Sequence, residues 1–221
     1  MIRIPEPELM TEQEQAFAYA AANFAEVNEP VAAWFQTTFS PLRPGAHLLD
    51  IGCGTADMTI RMVHAYPGIT ALGIDGSDAM LSFGRNLVDK AGLTSRIVLE
   101  RRYFPDTELE TARFDAVTAT NLLHHLSNPL AFWKAVRRCA QPGAPIMVAD
   151  LRRPPDEDTV QQLLEKYACR ALPPLQRDFV NSLHAAYTVQ EVTQQLDTAG
   201  LSGFTVQEVG PLHLVATGHG A

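Results

Sequence analysis

The sequence predicts an α/β domain built on a doubly wound, seven-stranded and mostly parallel sheet whose last strand runs antiparallel. Three observations carry that reading. From residue 45 onward, short apolar runs alternate with helical ones. Those runs are apolar throughout instead of every second residue, as strands covered by helices on both faces must be. Pro67-Gly68, Ala91-Gly92 and Pro142-Gly143 each stop a helix just before the next apolar run.

Taken in order, residues 11–39 read as helix, because Ala16, Phe17, Tyr19, Ala20 and Phe24, then Val31, Trp34, Phe35 and Phe39, recur near the helical period. Ser40-Pro41-Leu42-Arg43-Pro44-Gly45 ends the run, so residues 1–44 are expected to form a helical cap. Within a core at 45–150, strands are expected at 47–51, 69–74, 97–99, 114–119 and 146–149, with helices at 55–66, 78–90 and 129–140. Residues 151–187 contain four prolines and four arginines without a strand-like run and read as a mostly helical lid. The remainder, 188–221, holds a helix at 189–199 ended by Gly200, then a hairpin of 204–209 and 212–217 about Gly210-Pro211. All of this parses as one domain.

Composition narrows the function. In 221 residues, 17 Lys and Arg against 25 Asp and Glu leave a formal charge of −8, which repels a phosphate backbone; no nucleic-acid partner is expected. Cys53, Cys139 and Cys169 are odd in number and lack Cys-x-x-Cys pairing, which points away from disulfides and zinc ribbons and toward a reducing, cytoplasmic setting. No run approaches the roughly 20 apolar residues of a membrane span, and the N-terminus lacks the apolar core of a secretory signal.

The informative segment is Leu48-Leu49-Asp50-Ile51-Gly52-Cys53-Gly54-Thr55-Ala56-Asp57, a strand running into two close glycines ahead of a helix. Glycines there let the backbone turn sharply beside a ligand, and the helix start offers free N–H donors. Asp75 ends the next strand, 21 residues after Gly54, where a carboxylate can accept both hydroxyls of a ribose. A dinucleotide loop wants a third small residue, whereas Asp57 would oppose a pyrophosphate and tolerate a sulfonium or ammonium.

These residues resemble the class I S-adenosylmethionine-dependent methyltransferases, over most of residues 45–217. Asp50-Ile51-Gly52-Cys53-Gly54-Thr55 is similar to the family's first motif, and Gly73-Ile74-Asp75-Gly76-Ser77-Asp78-Ala79-Met80-Leu81 to its ribose-binding second motif. Phe114-Asp115-Ala116-Val117 with Asn121-Leu122-Leu123-His124-His125-Leu126 resembles the fourth strand and its active-site edge, and Gln141-Pro142-Gly143-Ala144 the turn before the fifth. The resemblance implies a Rossmann-like fold and S-adenosylmethionine as cofactor. It implies that Gly52 and Gly54 approach the methionine portion, that Asp75 holds the ribose and that Met80 lies against the adenine. The whole expected cofactor site is Asp50, Gly52, Cys53, Gly54, Thr55, Asp57, Asp75, Gly76, Ser77, Met80, Arg102, Tyr103, Asn121 and Leu122. One departure stands out: Arg102-Tyr103 occupies the place where small-molecule members often carry Gly-Asp for the adenine amino group. Tyr103 or Phe104 could stack on the base or pack under the sheet edge.

For the chemistry, His124 and His125 follow the fourth strand on the ligand-binding face and are the catalytic candidates; being adjacent, only one is expected to point inward. A base is needed only if the acceptor is a hydroxyl or protonated amine. Asp150, ending the fifth strand, could orient an acceptor or stay solvated. Arg152, Asn181 and His184 of the lid, with Arg153, Arg170, Arg177 and Tyr187, could hold an anionic substrate or simply face water. Tyr19 and Phe24 either cover the substrate or bury an amphipathic face. Cys53 is expected as a small loop residue, not a nucleophile. His47, His64, His213 and His219 lack metal-ligand spacing, and no metal is expected. The enclosed site predicts a small-molecule methyl acceptor and no membrane partner; the cap helices can cover their own site or meet a second copy in a homodimer. Two alternatives remain: an NAD-dependent oxidoreductase on a similar sheet, and a non-catalytic S-adenosylmethionine-binding protein.

Overall fold

Strand β1 (His47–Ile51) pairs in parallel with β2 (Thr70–Asp75) on one side and β4 (Ala116–Thr120) on the other, because its apolar residues can be covered on both faces only in the middle of a sheet. β3 (Ile97–Arg101), β5 (Pro145–Leu151), β6 (Thr205–Val209) and β7 (His213–His219) complete seven strands in the order β3-β2-β1-β4-β5-β7-β6. β7 runs antiparallel to both β5 and β6, so the Rossmann-like sheet with its antiparallel last strand is as the sequence predicts. The computed structural model describes residues 1–6, 13–22, 24–109 and 114–220.

The described helices are α1 (Gln13–Ala21), α2 (Ala25–Thr38), α3 (Asp57–Ala65), α4 (Asp78–Lys90), α5 (Pro129–Cys139), α6 (Glu157–Tyr167), α7 (Pro173–Ala185) and α8 (Val189–Thr198). The expected helical stretch 11–39 is thus two helices; its residues 11, 12 and 23 lie outside the described ones. Adjacent β1 residues divide between two cores, as the pleat requires. Leu48 packs with Phe35, Met62 and Val63 on the α2 and α3 face, and Leu49 with Trp133, Val136 and Leu196 on the α5 and α8 face. Full burial of each such side chain contributes about 1.5–3 kcal/mol. The Trp133 indole N–H, buried with the ring, donates to Gln195 Oε1 at 3.0 Å and fixes α5 against α8.

Strands β3 and β5 outrun the apolar patterns that predicted them. β3 continues into Glu100 and Arg101 because it is a sheet edge, where one side faces water. β5 continues through Asp150 to Leu151, so the lid proper starts one residue later than expected. The lid has its own small core, in which Val160, Leu163 and Leu183 meet Leu151 of β5 and Leu212 of the turn before β7. Arg153, nearly buried, ties the lid's base to the next helix by donating to Ala186 O at 3.2 Å and Glu191 at 2.7 Å. An unexpected strap, residues 1–6, lies along the lid: Met1 donates to Pro155 O, Ile4 N to His184 O, and Arg3 Nε to Ala185 O at 2.6 Å.

Candidate active site

Strand order reverses between β1 and β4, and there the carboxyl ends of the strands open into a cavity of about 1080 Å³. Its floor is the β1–α3 loop. Gly52 and Cys53 both donate to Ile74 O, at 2.8 and 3.0 Å, folding the loop across the tip of β2. Gly52 has φ +69° and Gly54 φ +53°, and a Cβ on Gly52 would lie 2.9 Å from the Leu122 methyls. Ala56, with φ 63°, carries the same left-handed turn to the start of α3, which the sequence pattern did not signal.

Three expected acids behave differently. Asp75 faces the cavity, its Oδ2 accepting from Gly54 N at 2.9 Å and its Oδ1 from Ser77 N at 2.8 Å. Each oxygen keeps a second lone pair for a ligand. Burial raises its pKa, against the lowering by those two amides. Asp50 is 1% exposed; its oxygens accept from Thr59 Oγ1 at 2.5 Å and Thr118 Oγ1 at 3.0 Å. It also lines the cavity: the two threonines use one lone pair on each oxygen to brace β1, α3 and β4, a second remains on each as in Asp75, and burial pushes its pKa up to about 6. Asp57 lines the cavity but accepts from Asn28 Nδ2 at 2.7 Å and Arg61 Nε at 2.7 Å. Its charge is paired, which weakens the electrostatic objection to a diphosphate drawn from the sequence.

The remaining expected cofactor residues line the same cavity: Cys53, Thr55, Gly76, Ser77, Met80, Asn121 and Leu122. Cys53 is buried, and burial pushes its thiol up, so it is no nucleophile. Arg102 lines the cavity too, its guanidinium held by Glu100 near the end of β3 and by Asp106 and Glu108 of the following loop. Tyr103 stands half exposed at the mouth, bonded by Arg101, while Phe104 packs edge-on against Phe132. Tyr19 roofs the cavity, its hydroxyl bonded to Asn121, and burial with the nearby Asp57 and Asp75 charges pushes it up to about 12.

A nucleoside-bearing sulfonium fits these groups. Among the described residues, Asn121 Oδ1 and Thr120 Oγ1 are buried in the wall without hydrogen-bond partners, two acceptors suited to an ammonium group. Asp75 supplies the ribose acceptor, and the side-chain-free Gly52 and Gly54 leave the backbone approachable.

The acceptor end corrects the expectation that only one histidine faces inward. A 3-10 turn at Leu123–His125 leaves the two rings 4.2 Å apart, and both line the cavity. Asp150 is 2% exposed, not solvated, and its carboxylate bonds His124 Nδ1, His124 N and Leu151 N. It stands behind His124 and orients that ring, not the acceptor. Burial opposes the charged form of His124, but Asp150 and then Glu6 outweigh it and raise its pKa; His124 in turn, with His125, holds Asp150 low against its own burial. Arg152, just past β5, pairs with Glu208 and Pro211 O at the hairpin, His184 pairs with Glu157, and Asn181 is exposed; none of the three lines the cavity, the two α7 residues because they face away from it. Lid residues that do line it include Arg170, one of the expected candidates, together with Lys166, Leu175, Asp178, Phe179 and Ser182. His213 also lines it, with Nε2 unpartnered and its pKa pushed down to about 4 by burial.

Sequence comparison matches residues 49–146 to a family model described as a methyltransferase domain. The "Ubiquinone biosynthesis O-methyltransferase" of Acinetobacter baumannii (strain ACICU) is 27% identical over 172 residues, 76% of this chain and 68% of that one. The "27-O-demethylrifamycin SV methyltransferase" of Amycolatopsis mediterranei is 27% identical over 172 residues, covering 76% and 58%. Among solved structures, a SAM dependent methyltransferase from Aquifex aeolicus superposes with a TM-score of 0.66 at 20% identity, covering 94% of this chain and 97% of that one. With the glycine loop, the Asp75 carboxylate and the 3-2-1-4-5-7-6 sheet arranged as described, the chain carries a methyltransferase domain over residues 49–146 on the Rossmann-like fold of the S-adenosylmethionine-dependent methyltransferases.

Proposed function

We propose that the chain transfers the methyl group of S-adenosylmethionine to an oxygen of a small molecule with an apolar body, in the cytoplasm. One observation carries this reading: Asp75 and the His124–Asp150 pair serve a single cavity, whose other walls include Phe24, Val27, Leu126, Leu175 and Phe179. Such walls bind an apolar body, and the few polar groups set its orientation. Among the described residues, no helix is long and apolar enough to cross a membrane.

S-adenosylmethionine supplies, when bound, an electrophilic methyl group on a positively charged sulfur. Asp75 would accept from the ribose hydroxyls, Gly52 and Gly54 would leave the backbone approachable beside the methionine portion, Asn121 and Thr120 would accept from the ammonium, and Met80 would pack against the adenine. Displacement at the methyl destroys charge, so the chain contributes most by aligning the acceptor and excluding water under α1 and α7. With Asp150 accepting from Nδ1–H, His124 keeps its lone pair on Nε2, where it can take the acceptor's hydroxyl proton. That step concerns a hydroxyl acceptor; an ionised one needs no base.

The test is transfer of isotopically labelled methyl from S-adenosylmethionine into metabolite extracts and a panel of apolar hydroxyl compounds. Label on an oxygen, reduced in Asp75→Ala when S-adenosylmethionine is limiting, is the expected result. Tight cofactor binding with no label transferred to any compound would favour the non-catalytic reading.

A further inference from the structure

Glu6 comes from the N-terminal strap and His124 and His125 from the turn after β4, yet one ligand atom from each lies within 4.8 Å of the others. His124 Nε2 is 3.4 Å and His125 Nδ1 3.5 Å from the same oxygen, Glu6 Oε1. Those separations exceed an N–H···O hydrogen bond, about 2.7–3.2 Å. They match the edge of a tetrahedron around an ion held at about 2.0–2.1 Å, which is about 3.3–3.4 Å.

A second observation points the same way. Among the described residues, Glu6 Oε1 is buried without a hydrogen-bond partner, on a side chain only 9% exposed. A carboxylate oxygen left in that state carries a desolvation cost that a cation would remove. Its aim is fixed by the strap, since Arg3 donates to Ala185 O and to His124 O at 2.8 Å and lies over the Tyr187 ring.

We propose that Glu6, His124 and His125 form a site for a divalent transition-metal ion of the zinc class, with its fourth position open to the cavity. Two imidazoles and one carboxylate are the donor set of catalytic zinc sites and ill suited to the all-oxygen preference of magnesium or calcium. The supporting groups are also present. Asp150 on Nδ1 turns His124 Nε2 toward the ion, and Ser182 bonds Glu6.

What the fourth position does rests on the methyl-transfer reading. An acceptor hydroxyl bound there forms a metal–oxygen bond as its O–H bond breaks; the proton passes to water, and the oxygen stays as the nucleophile. His124 Nε2 then holds the ion instead of a proton.

The test is calorimetric titration of the chelator-stripped full chain with Zn²⁺, in a Cys169→Ser background that removes the exposed thiol. Co²⁺ serves in parallel as a visible-absorption probe. One ion per chain is expected, with the intense visible bands of four-coordinate Co²⁺ and no competition from Mg²⁺. Asp150→Asn should weaken Zn²⁺ affinity about 10–100-fold, and Glu6→Gln and His125→Ala at least as much, with melting temperatures confirming that each variant is folded. No stoichiometric binding, or unchanged affinity in both Glu6→Gln and His125→Ala, overturns the site. Binding of S-adenosylmethionine, measured separately on the metal-free chain, tells that failure from failure of the methyltransferase reading.

Discussion

Gly54 donates its backbone N–H to the Asp75 carboxylate at 2.9 Å, tying the loop after β1 to the tip of β2. One group thus shapes the loop and faces the ligand. Asp75→Ala is expected to weaken S-adenosylmethionine binding by about 1–3 kcal/mol, measured by calorimetry. Asp75→Asn keeps an oxygen for Gly54 and should retain the melting temperature while losing part of the affinity. Unchanged affinity in both would remove Asp75 from the cofactor site.

Asp50 gives a pH prediction of defined sign. Its ordinary value of 3.8 is raised to about 6 by burial, which outweighs the Thr59 and Thr118 hydroxyls. A raised acid favours the folded state fully below pH 4 and loses that contribution as pH rises through 6, by about 3 kcal/mol. Asp50→Asn lacks the titration. Denaturant unfolding at pH 4 and pH 7 should show the natural chain losing stability relative to this variant by that order. The His213 contribution is common to both chains and cancels in the difference. Parallel pH curves would sink the assignment.

How much of this was legible beforehand depends on whether the cause is local. The bounds of α4 match the expected 78–90 because Ser77 accepts from Met80 N and the apolar face is periodic within the helix itself. β1 matches 47–51 because its burial needs no partner identity, only apolarity. The Gly52, Gly54 and Asp75 cradle was legible for the same reason: spacing along the chain fixes it.

The acceptor end was legible only in part. His124 and His125 were found, but their shared aim was not, because adjacency argues against it and only a turn in which one ring offers Nε2 and the other Nδ1 brings them together. Glu6 carries no signal at all: it sits in a proline-rich strap without periodicity and reaches His124 through tertiary contacts of Arg3 and Ile4. Asn28 on Asp57 and His213 in the wall are of the same kind. The lid residues Arg152, Asn181 and His184 were misplaced because a polar side chain on a helix or strand does not reveal which face meets the cavity.

Asp150 is assigned a positioning part, which a variant can separate from cofactor binding. Asp150→Asn removes the charge that fixes the His124 ring, while S-adenosylmethionine touches neither residue in the proposed arrangement. The turnover number is expected to fall about 10²–10⁴-fold with cofactor affinity unchanged. A buried bond is also weakened, so the variant should lose about 1–3 kcal/mol in unfolding experiments. Full turnover in a folded Asp150→Asn chain would mean that neither the pair nor the orientation of His124 matters to the reaction.

Gly52 and Leu122 provide a test of the cavity floor that separates backbone from side chain. Gly52→Ala imposes a Cβ at φ +69°, a cost of about 1–2 kcal/mol in the left-handed region, and drives that Cβ to 2.9 Å from the Leu122 methyls. Leu122 therefore shifts toward the cofactor's volume, and S-adenosylmethionine affinity should fall together with stability. Adding Leu122→Ala removes the clash but not the backbone cost. In the double variant, affinity should recover toward that of Leu122→Ala alone while the melting temperature stays depressed, and the non-additivity measures the contact. If the two substitutions are simply additive in both readouts, the contact between loop and wall does not shape the site.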